Sequence, residues 1–284
     1  MASLQPSIGE NHMSDDLLIA AVTKIHVSIC KLDNLRPSKH VNSLLTQLVK
    51  LCTLPSSIDI KNLPEEAQQM RKNLIRLCGR AEGLLELEVS SLITKFPHPM
   101  SHLNLYPYYT NYLELAHIEH KILCDNGIVQ FKRVAFVGSG SMPLTSIIMA
   151  THYMKSTYFD NYDIDESANQ LARRIVGVDS DLGRRMRFKT CDVMDVREEL
   201  GGFDCMFLAA LVGMSREEKV RILGHMRKYM KCGSVLVVRS ANGSRGFLYP
   251  VVEDEDLGGF EILSVFHPTN EVINSVVLVR KPIV

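Results

Sequence analysis

The chain has 284 residues, and its 32 basic and 32 acidic residues give a formal net charge of zero at neutral pH. This balance gives no overall field to attract nucleic acid or an anionic membrane, so we expect neither as a partner. The length is sufficient for two domains, each with a core of its own.

Seven cysteines are scattered along the chain without a Cys-x-x-Cys pair. An odd number of dispersed thiols is typical of a protein from a reducing compartment. The first sixteen residues are polar, and no apolar run approaches the length of a membrane span. We therefore expect a soluble, cytoplasmic protein.

Apolar residues recur with helical spacing as far as residue 131. Two amphipathic helices are predicted between Asp15 and about Leu54, with a break at Arg36-Pro37-Ser38. A long third helix is predicted from Pro64 to about Thr94, because proline and two acids suit its first turn. A stop at 96–100 precedes a helix over Leu113–Asn126. Residues 1–131 are therefore predicted to form an all-helical N-terminal domain.

Short β-rich runs alternate with helices from Arg133 onward, which is typical of βαβ units and a parallel sheet. Strands are predicted near 134–137, 158–162, 186–190, 204–209 and 235–238, with helices near 144–154, 166–177 and 216–230. Runs at 260–266 and 272–279 are joined by a loop too short for a crossover helix, so they should be antiparallel. Residues 132–284 are therefore predicted as an α/β, Rossmann-like domain, with the outline of S-adenosylmethionine-dependent transferases.

A glycine turn follows the first predicted strand. Gly138-Ser139-Gly140 allows a sharp turn and a close approach to a ligand, and the next helix offers unpaired N–H groups. Asp163 and Asp165 end the second strand, where an acid can hold a ribose diol. Glycines at such turns also occur for geometry alone, but the acids favour nucleoside binding.

Ligands of such sheets bind beyond the carboxyl ends of the strands. Asp192 and Val193 follow the third strand, and the acid could accept a hydrogen bond from an adenine amino group. Leu208 and Ala209 lead into the small residues after the fourth strand, which would border the reactive end of the ligand. A helix cap at Asp192 and tight packing at Ala209 are the structural alternatives.

Six blocks of the sequence are long and irregular, and hence far more specific than one glycine turn: 105–112, 134–146, 161–165, 207–214, 239–250 and 267–275. In these blocks the chain resembles nicotianamine synthase of the plant type, and the resemblance extends from about residue 15 to the C-terminus. The chain departs from the family's pattern at Ser141, where proline is expected, and at Asn242, where histidine is usual.

The resemblance implies condensation of three S-adenosylmethionine molecules into nicotianamine, with release of three methylthioadenosines. The steps would be aminocarboxypropyl transfers and closure of an azetidine ring, in the service of metal homeostasis and iron transport in a plant. S-adenosylmethionine is then the substrate, and no cofactor beyond it is expected. An S-adenosylmethionine-dependent methyltransferase and a non-catalytic binding paralogue are the alternatives. The oligomeric state stays open, with a homodimer as one option.

A sulfonium has three carbons open to displacement, and the enzyme selects the one that it presents in line with the nucleophile. An α-amine nucleophile is mostly protonated at neutral pH and needs a proton acceptor. Glu82 and Glu86 lie four residues apart on one face of the predicted third helix. The resemblance implies a catalytic glutamate in this segment. Spacing does not decide between the two, and we favour Glu86; the alternative is a solvated helix face.

The aromatic block after this helix supplies further candidates. Tyr106 is expected to hold the amine, with Tyr108 and Tyr109 as pocket walls, although core packing is the alternative for tyrosines. Arg239, at the end of the fifth strand, and His267, before Pro268, could reach a substrate carboxylate. A surface ion pair and loop capping are their respective alternatives.

No metal site is predicted. Glu114, His117 and His120 share one helix face, but the motif has no second copy in the chain. The reaction chamber is instead expected between the two predicted domains. The sheet would supply the sulfonium donor there, and the helices would supply the proton acceptor.

Overall fold

The computed structural model describes residues 13–56 and 58–283, so the polar stretch over 1–12 lies outside the described residues. In this range the chain begins with helices, listed in order: α1 (Asp15–Cys30), α2 (Lys39–Thr53), α3 (Glu65–Ile93) and α4 (Tyr109–Asp125). The predicted break before α2 is confirmed, and Ser38 begins that helix by accepting a hydrogen bond from the Val41 N–H. Helix α4 begins at Tyr109 rather than Leu113, because Tyr109 and Tyr112 pack against the core.

The described part of the chain forms one seven-stranded sheet in the order β3-β2-β1-β4-β5-β7-β6. Its strands are β1 (Arg133–Val137), β2 (Tyr158–Asp163), β3 (Met186–Thr190), β4 (Cys205–Leu208), β5 (Val235–Ser240), β6 (Glu261–Phe266) and β7 (Ser275–Arg280). Strands β1 to β5 are parallel, whereas β7 runs antiparallel to both β5 and β6. The predicted mostly parallel sheet with an antiparallel C-terminal pair is confirmed. Strand order reverses between β1 and β4, and such a switch point opens a crevice for ligands.

The helices between the strands are α5 (Leu144–Ile148), α6 (Glu166–Val176), α7 (Leu182–Arg185) and α8 (Arg216–Tyr229). Helix α5 continues as a π-helix over Met149–Tyr153, so the predicted helix has the expected extent but changes type midway. Helix α8 begins with a capping box, in which Ser215 and Glu218 form reciprocal hydrogen bonds. Within the described residues, no helix combines the length and hydropathy that a membrane crossing requires.

Two of the apolar clusters contain residues from both sides of position 131, the predicted domain boundary. Leu74 and Ala81 of α3 pack with α1 and α2, in a cluster that also contains Phe247 and Ile273 from the C-terminal half. Val89, later in α3, belongs to a cluster with buried residues of the sheet. Helix α3 therefore connects the N-terminal helices to the sheet, and the division into two domains at 131/132 stays a prediction.

Candidate active site

A cavity of about 620 Å³ lies at the carboxyl ends of β1 to β5. The sheet side contributes the turns and loops that follow these strands, while the opposite wall is formed by one face of α3 and by Tyr112 of α4. This is the place where the reaction chamber is predicted. The switch point of the sheet and the long helix together define its shape.

The glycine turn after β1 fits its surroundings so closely that side chains are excluded. Gly138 and Gly140 line the cavity with φ of 80° and 66°, in the left-handed region that favours glycine. A Cβ at Gly138 would lie 2.3 Å from Cγ2 of Val212, and one at Gly140 would lie 2.1 Å from Oε1 of Glu86. Ser139 between them is buried, and its Oγ has no hydrogen-bond partner among the residues that the structure describes.

The two acids after β2 are not equivalent. Asp163 lines the cavity; its Oδ2 accepts a hydrogen bond from the Gly140 N–H at 2.8 Å, and its Oδ1 accepts one from the Asp165 N–H at 3.0 Å. Asp165 caps α6 by accepting the N–H groups of Ser167 and Ala168 and does not line the cavity. The Ser167 hydroxyl and these N–H groups lower the pKa of Asp165. The structure therefore brings Asp163 but not Asp165 to the site.

The loops after β3 and β4 line the same cavity. Asp192 and Val193 both do so, and Asp192 also caps a short helix by accepting the Met194 N–H at 2.9 Å. Ala209 borders the cavity, whereas Leu208 is buried within β4 and does not reach it. Capping and cavity lining thus coexist at Asp192.

The loop after β4 is held by a residue that sequence reasoning missed. The buried Lys219 Nζ donates to the carbonyl oxygens of Ala209 at 3.3 Å and Ala210 at 2.9 Å. Burial lowers the pKa of this lysine to about 7. A lysine in the first turn of an amphipathic helix gives no local signal that it points inward.

Glu82 and Glu86 of α3 both face the cavity. Oε1 of Glu86 accepts hydrogen bonds from the Met142 N–H at 2.9 Å and the Ser141 hydroxyl at 3.2 Å. Oε2 of Glu82 accepts one from the Tyr249 hydroxyl at 2.7 Å. Burial, assisted by the nearby charge of Glu82 and opposed by the hydrogen bonds from Met142 and Ser141, raises the pKa of Glu86 to about 8. Burial also raises the pKa of Glu82.

Arg239 forms a buried ion pair beside the cavity. Its Nε and Nη2 donate to the two carboxylate oxygens of Glu119 at 2.7 and 3.0 Å, and Nη2 also donates to Oγ1 of Thr145 at 2.6 Å. Both side chains of the pair are buried, so the alternative of a surface ion pair is wrong. Within residues 13–56 and 58–283, Nη1 of Arg239 donates no hydrogen bond. That nitrogen is available to a ligand.

Glu119 itself escaped the sequence reasoning, which weighed its neighbours on α4 as metal ligands. It lies in phase with the buried positions Leu115, Ala116, Ile122 and Leu123, and an acid at an apolar position is the signal that could have found it. His117 and His120 instead contact Tyr153, on which His120 stacks with a ring separation of 4.3 Å. In the described part of the chain, no cluster of three or more metal-type ligands occurs.

The main cavity is lined by tyrosines other than the predicted ones. Tyr106 is buried with its hydroxyl unpartnered among the described residues, and its ring packs against Tyr108 and Tyr112. Tyr112 lines the main cavity, whereas Tyr106, Tyr108 and Tyr109 do not. Burial raises the pKa of Tyr106 well above its ordinary value, with further contributions from Tyr112 and from Glu82 and Glu86 nearby.

His267 also lies away from the main cavity, where its Nδ1 is 2.9 Å from Oγ of Ser275. This contact matches the structural alternative of loop capping. Tyr249, which sequence reasoning missed, takes a place in the cavity wall beside Glu82.

Two glycines inside α3 also went unnoticed. Gly79 and Gly83 share the face of Glu82 and Glu86, with the spacing i, i+3, i+4, i+7. Glycine in a helix interior costs about 0.5–1 kcal/mol relative to alanine. Two such residues beside two carboxylates are a readable signal that this helix face leaves room for a ligand.

Gly83→Ala is expected to stabilise the fold and weaken substrate binding. A Cβ at Gly83 would meet no described atom within 4 Å and would enter the cavity. The melting temperature should rise by about 1–4 °C, while KM for the substrate rises. Gly224→Ala on α8 is the matched control, because that site is equally open but lies outside the cavity. It should raise the melting temperature alone; an unchanged KM in Gly83→Ala would contradict the prediction.

Comparison with known proteins identifies a family whose description is nicotianamine synthase protein, and the family model matches residues 10–284. Nicotianamine synthase of Solanum lycopersicum is 48% identical over 264 residues, which cover 93% of this chain and 83% of the relative. Probable nicotianamine synthase 4 of Arabidopsis thaliana is 50% identical over 274 residues, which cover 95% and 84% of the two chains.

Two solved structures share the fold. A Glu-to-Gln variant of MtNAS in complex with S-adenosylmethionine superimposes with a TM-score of 0.78 at 23% identity, over 95% of this chain and all of that one (100%). MtNAS in complex with MTA and tNA gives a TM-score of 0.76 at 23% identity, over 94% and 97%.

Proposed function

The chain belongs to the nicotianamine synthase family, and we propose on this premise that it condenses three S-adenosylmethionine molecules into nicotianamine. Each donor loses its aminocarboxypropyl group and leaves as methylthioadenosine, and one step closes an azetidine ring. One observation carries the proposal beyond the family match. The cavity combines a nucleoside-type site at the strand ends with the Glu86 carboxyl group on its opposite wall.

The strand ends are proposed to hold the nucleoside half of the donor. Asp163 would accept from the ribose hydroxyls, and Asp192 from the adenine amino group. The glycine turn lets the donor approach the backbone at Gly138 and Gly140. S-adenosylmethionine is the substrate in this proposal, and no other cofactor is invoked.

Glu86 is proposed to accept the proton of the attacking α-amine. Its Oε1 already accepts hydrogen bonds from Met142 and Ser141, so Oε2 is the oxygen left for the new proton. A pKa of about 8 suits the exchange of a proton with an amine near neutral pH. The amine lone pair forms the new C–N bond as the C–S bond breaks, and the departing electron pair turns the sulfonium into a thioether.

The positive charge of the bound donor is proposed to promote ionisation of the Glu86 carboxyl group. In the protein alone, burial raises the pKa of both Glu82 and Glu86, and the Glu82 charge raises that of Glu86 as well. A sulfonium in the same cavity favours their ionised forms. Donor binding would therefore leave Glu86 deprotonated when the amine has to lose its proton.

Arg239 is proposed to bind a substrate carboxylate through Nη1. The pairing of its other nitrogens with Glu119 and Thr145 fixes the guanidinium plane and neutralises most of its charge. Tyr106 as the holder of the amine stays a prediction. Its unpartnered hydroxyl supports the assignment, but its position outside the main cavity requires a rearrangement of the wall.

The proposed function is tested by incubating the purified protein with S-adenosylmethionine alone. The expected products are methylthioadenosine and nicotianamine in a ratio of three to one, with nicotianamine identified by mass. Formation of S-adenosylhomocysteine would overturn the proposal in favour of a methyltransferase. Calorimetric binding of the donor without any product would overturn it in favour of a non-catalytic binding protein.

A further inference from the structure

Two buried serines lie behind the Glu86 carboxyl group. Ser141, just after the glycine turn, places its Oγ 3.2 Å from Oε1 of Glu86 and 3.0 Å from Oγ of Ser90. Ser90 lies one helical turn after Glu86 on α3, and both serines are buried, at 1% and 0% exposure. A buried hydroxyl group without a partner is costly, and these two hydroxyls form hydrogen bonds with each other and with the carboxyl group.

The direction of these hydrogen bonds follows from counting protons. When Glu86 is ionised it only accepts, so in that form the Ser141 hydroxyl donates its single proton to Oε1 of Glu86. The Ser90 hydroxyl then donates to Oγ of Ser141. Together with the Met142 N–H at 2.9 Å, two donors point at Oε1.

We infer that Ser141 and Ser90 are positioning residues, which hold Oε1 of Glu86 against the glycine turn and thereby present Oε2 to the reacting amine. The inference rests on the proposed role of Glu86 as proton acceptor. The carboxyl group is thus clamped between its own helix and the turn after β1. Neither serine lines the cavity.

Several other ionisable groups lie around Glu86. They are Glu82 on α3, Tyr106 before α4, Tyr112 on α4, Arg239 on β5 and Tyr249 in the loop after β5. The Glu82 charge raises the pKa of Glu86, whereas the donors at Ser141 and Met142 lower it. All of these except Ser141 persist in a Ser141→Ala variant. Loss of that hydroxyl should therefore raise the pKa of Glu86 above about 8.

The first test measures stability against pH in the protein without substrate. An unfolded glutamate titrates near 4.5, so a carboxyl group with a raised native pKa loses stability as pH rises from there through its native pKa. The melting-temperature difference between Ser141→Ala and the natural protein should therefore be constant from pH 5 to about pH 7 and should widen as pH rises through about 8 toward 9, where only the natural protein has ionised Glu86 in its folded state. In a Glu86→Gln background the same substitution should give a difference that does not vary with pH. A pH-independent difference in both backgrounds would overturn the inference.

The second test measures the pH profile of turnover. The rising limb of kcat/KM should move to higher pH in Ser141→Ala by about half a unit or more, and kcat at pH 7 should fall several-fold with KM for the donor nearly unchanged. Ser141→Thr keeps the hydroxyl and should restore both values; a rescue that fails although Ser141→Thr folds would overturn the inference. Should the natural protein form no nicotianamine, the proposed function fails while the stability measurement still decides the positioning role.

Discussion

Glu86→Gln is expected to lose turnover while keeping donor binding. Glutamine keeps the shape of the side chain and can still accept hydrogen bonds from Met142 and Ser141 through its carbonyl oxygen, but it cannot take a proton from the amine. General-base catalysis contributes about 10²–10⁴-fold, so kcat should fall by that order. Methylthioadenosine release measures the loss. Calorimetry should still find binding of S-adenosylmethionine, weakened by no more than about tenfold, or about 1.4 kcal/mol, because glutamine lacks the negative charge that favours the sulfonium.

Glu82→Gln is the matched variant, one helical turn away in the same cavity. It removes a charge that raises the pKa of Glu86 and weakens the hydrogen bond from Tyr249, so a smaller loss of kcat is expected. If Glu82→Gln loses turnover while Glu86→Gln stays active, Glu82 is the proton acceptor.

The pH dependence of the melting temperature shows whether Glu86→Gln is correctly folded. The variant should melt higher than the natural protein at pH 9, with the difference shrinking toward pH 5, because it lacks the carboxyl group whose pKa is raised.

Arg239→Met is expected to cause the largest loss of stability. It leaves the Glu119 carboxylate buried without its partner, and breaking a buried pair from one side costs about 3–5 kcal/mol. For a chain of this size the melting temperature should fall by about 10 °C. The double variant Arg239→Met with Glu119→Met removes both charges and should recover most of that loss.

Activity in the double variant separates the two roles of Arg239. If the guanidinium also binds a substrate carboxylate, the restored fold should still show a KM for S-adenosylmethionine raised about tenfold or more, since a hydrogen bond to a charged group contributes about 1.5–3 kcal/mol. A fully active double variant would restrict Arg239 to a structural role. Thermal melts and initial rates on the same preparations are sufficient to decide.

The fold was accessible to sequence reasoning because its signals are local. Alternation of short β-rich runs with helices specifies the parallel strands, and the short connection near 267–274 specifies the antiparallel pair. The start of α4 was missed because Tyr109 joins the helix through packing against the core, which no local propensity records.

The candidate site was accessible only in part. Helical spacing places Glu82 and Glu86 on one face, but their partners come from distant parts of the chain: Tyr249 is 167 residues from Glu82, and Met142 is 56 residues from Glu86. The same holds for Arg239 and Glu119, which are 120 residues apart. Asp165 illustrates the converse, because its nearest neighbours in sequence already satisfy it as a helix cap.

The apolar clusters with residues from both sides of position 131 limit the ways in which three donor molecules could enter the cavity one after another. Parting the helical wall from the sheet would expose those side chains to water, which disfavours an opening of the cavity between the two. Ile164 and Met214 are exposed residues of the cavity wall. Under the proposed function, we expect methylthioadenosine to leave and new donor to enter beside them. Without such an opening, the cavity of about 620 Å³ has to hold both the donor and the growing product. The space left after each addition therefore limits the length of the product, and growth ends when no room remains for another unit.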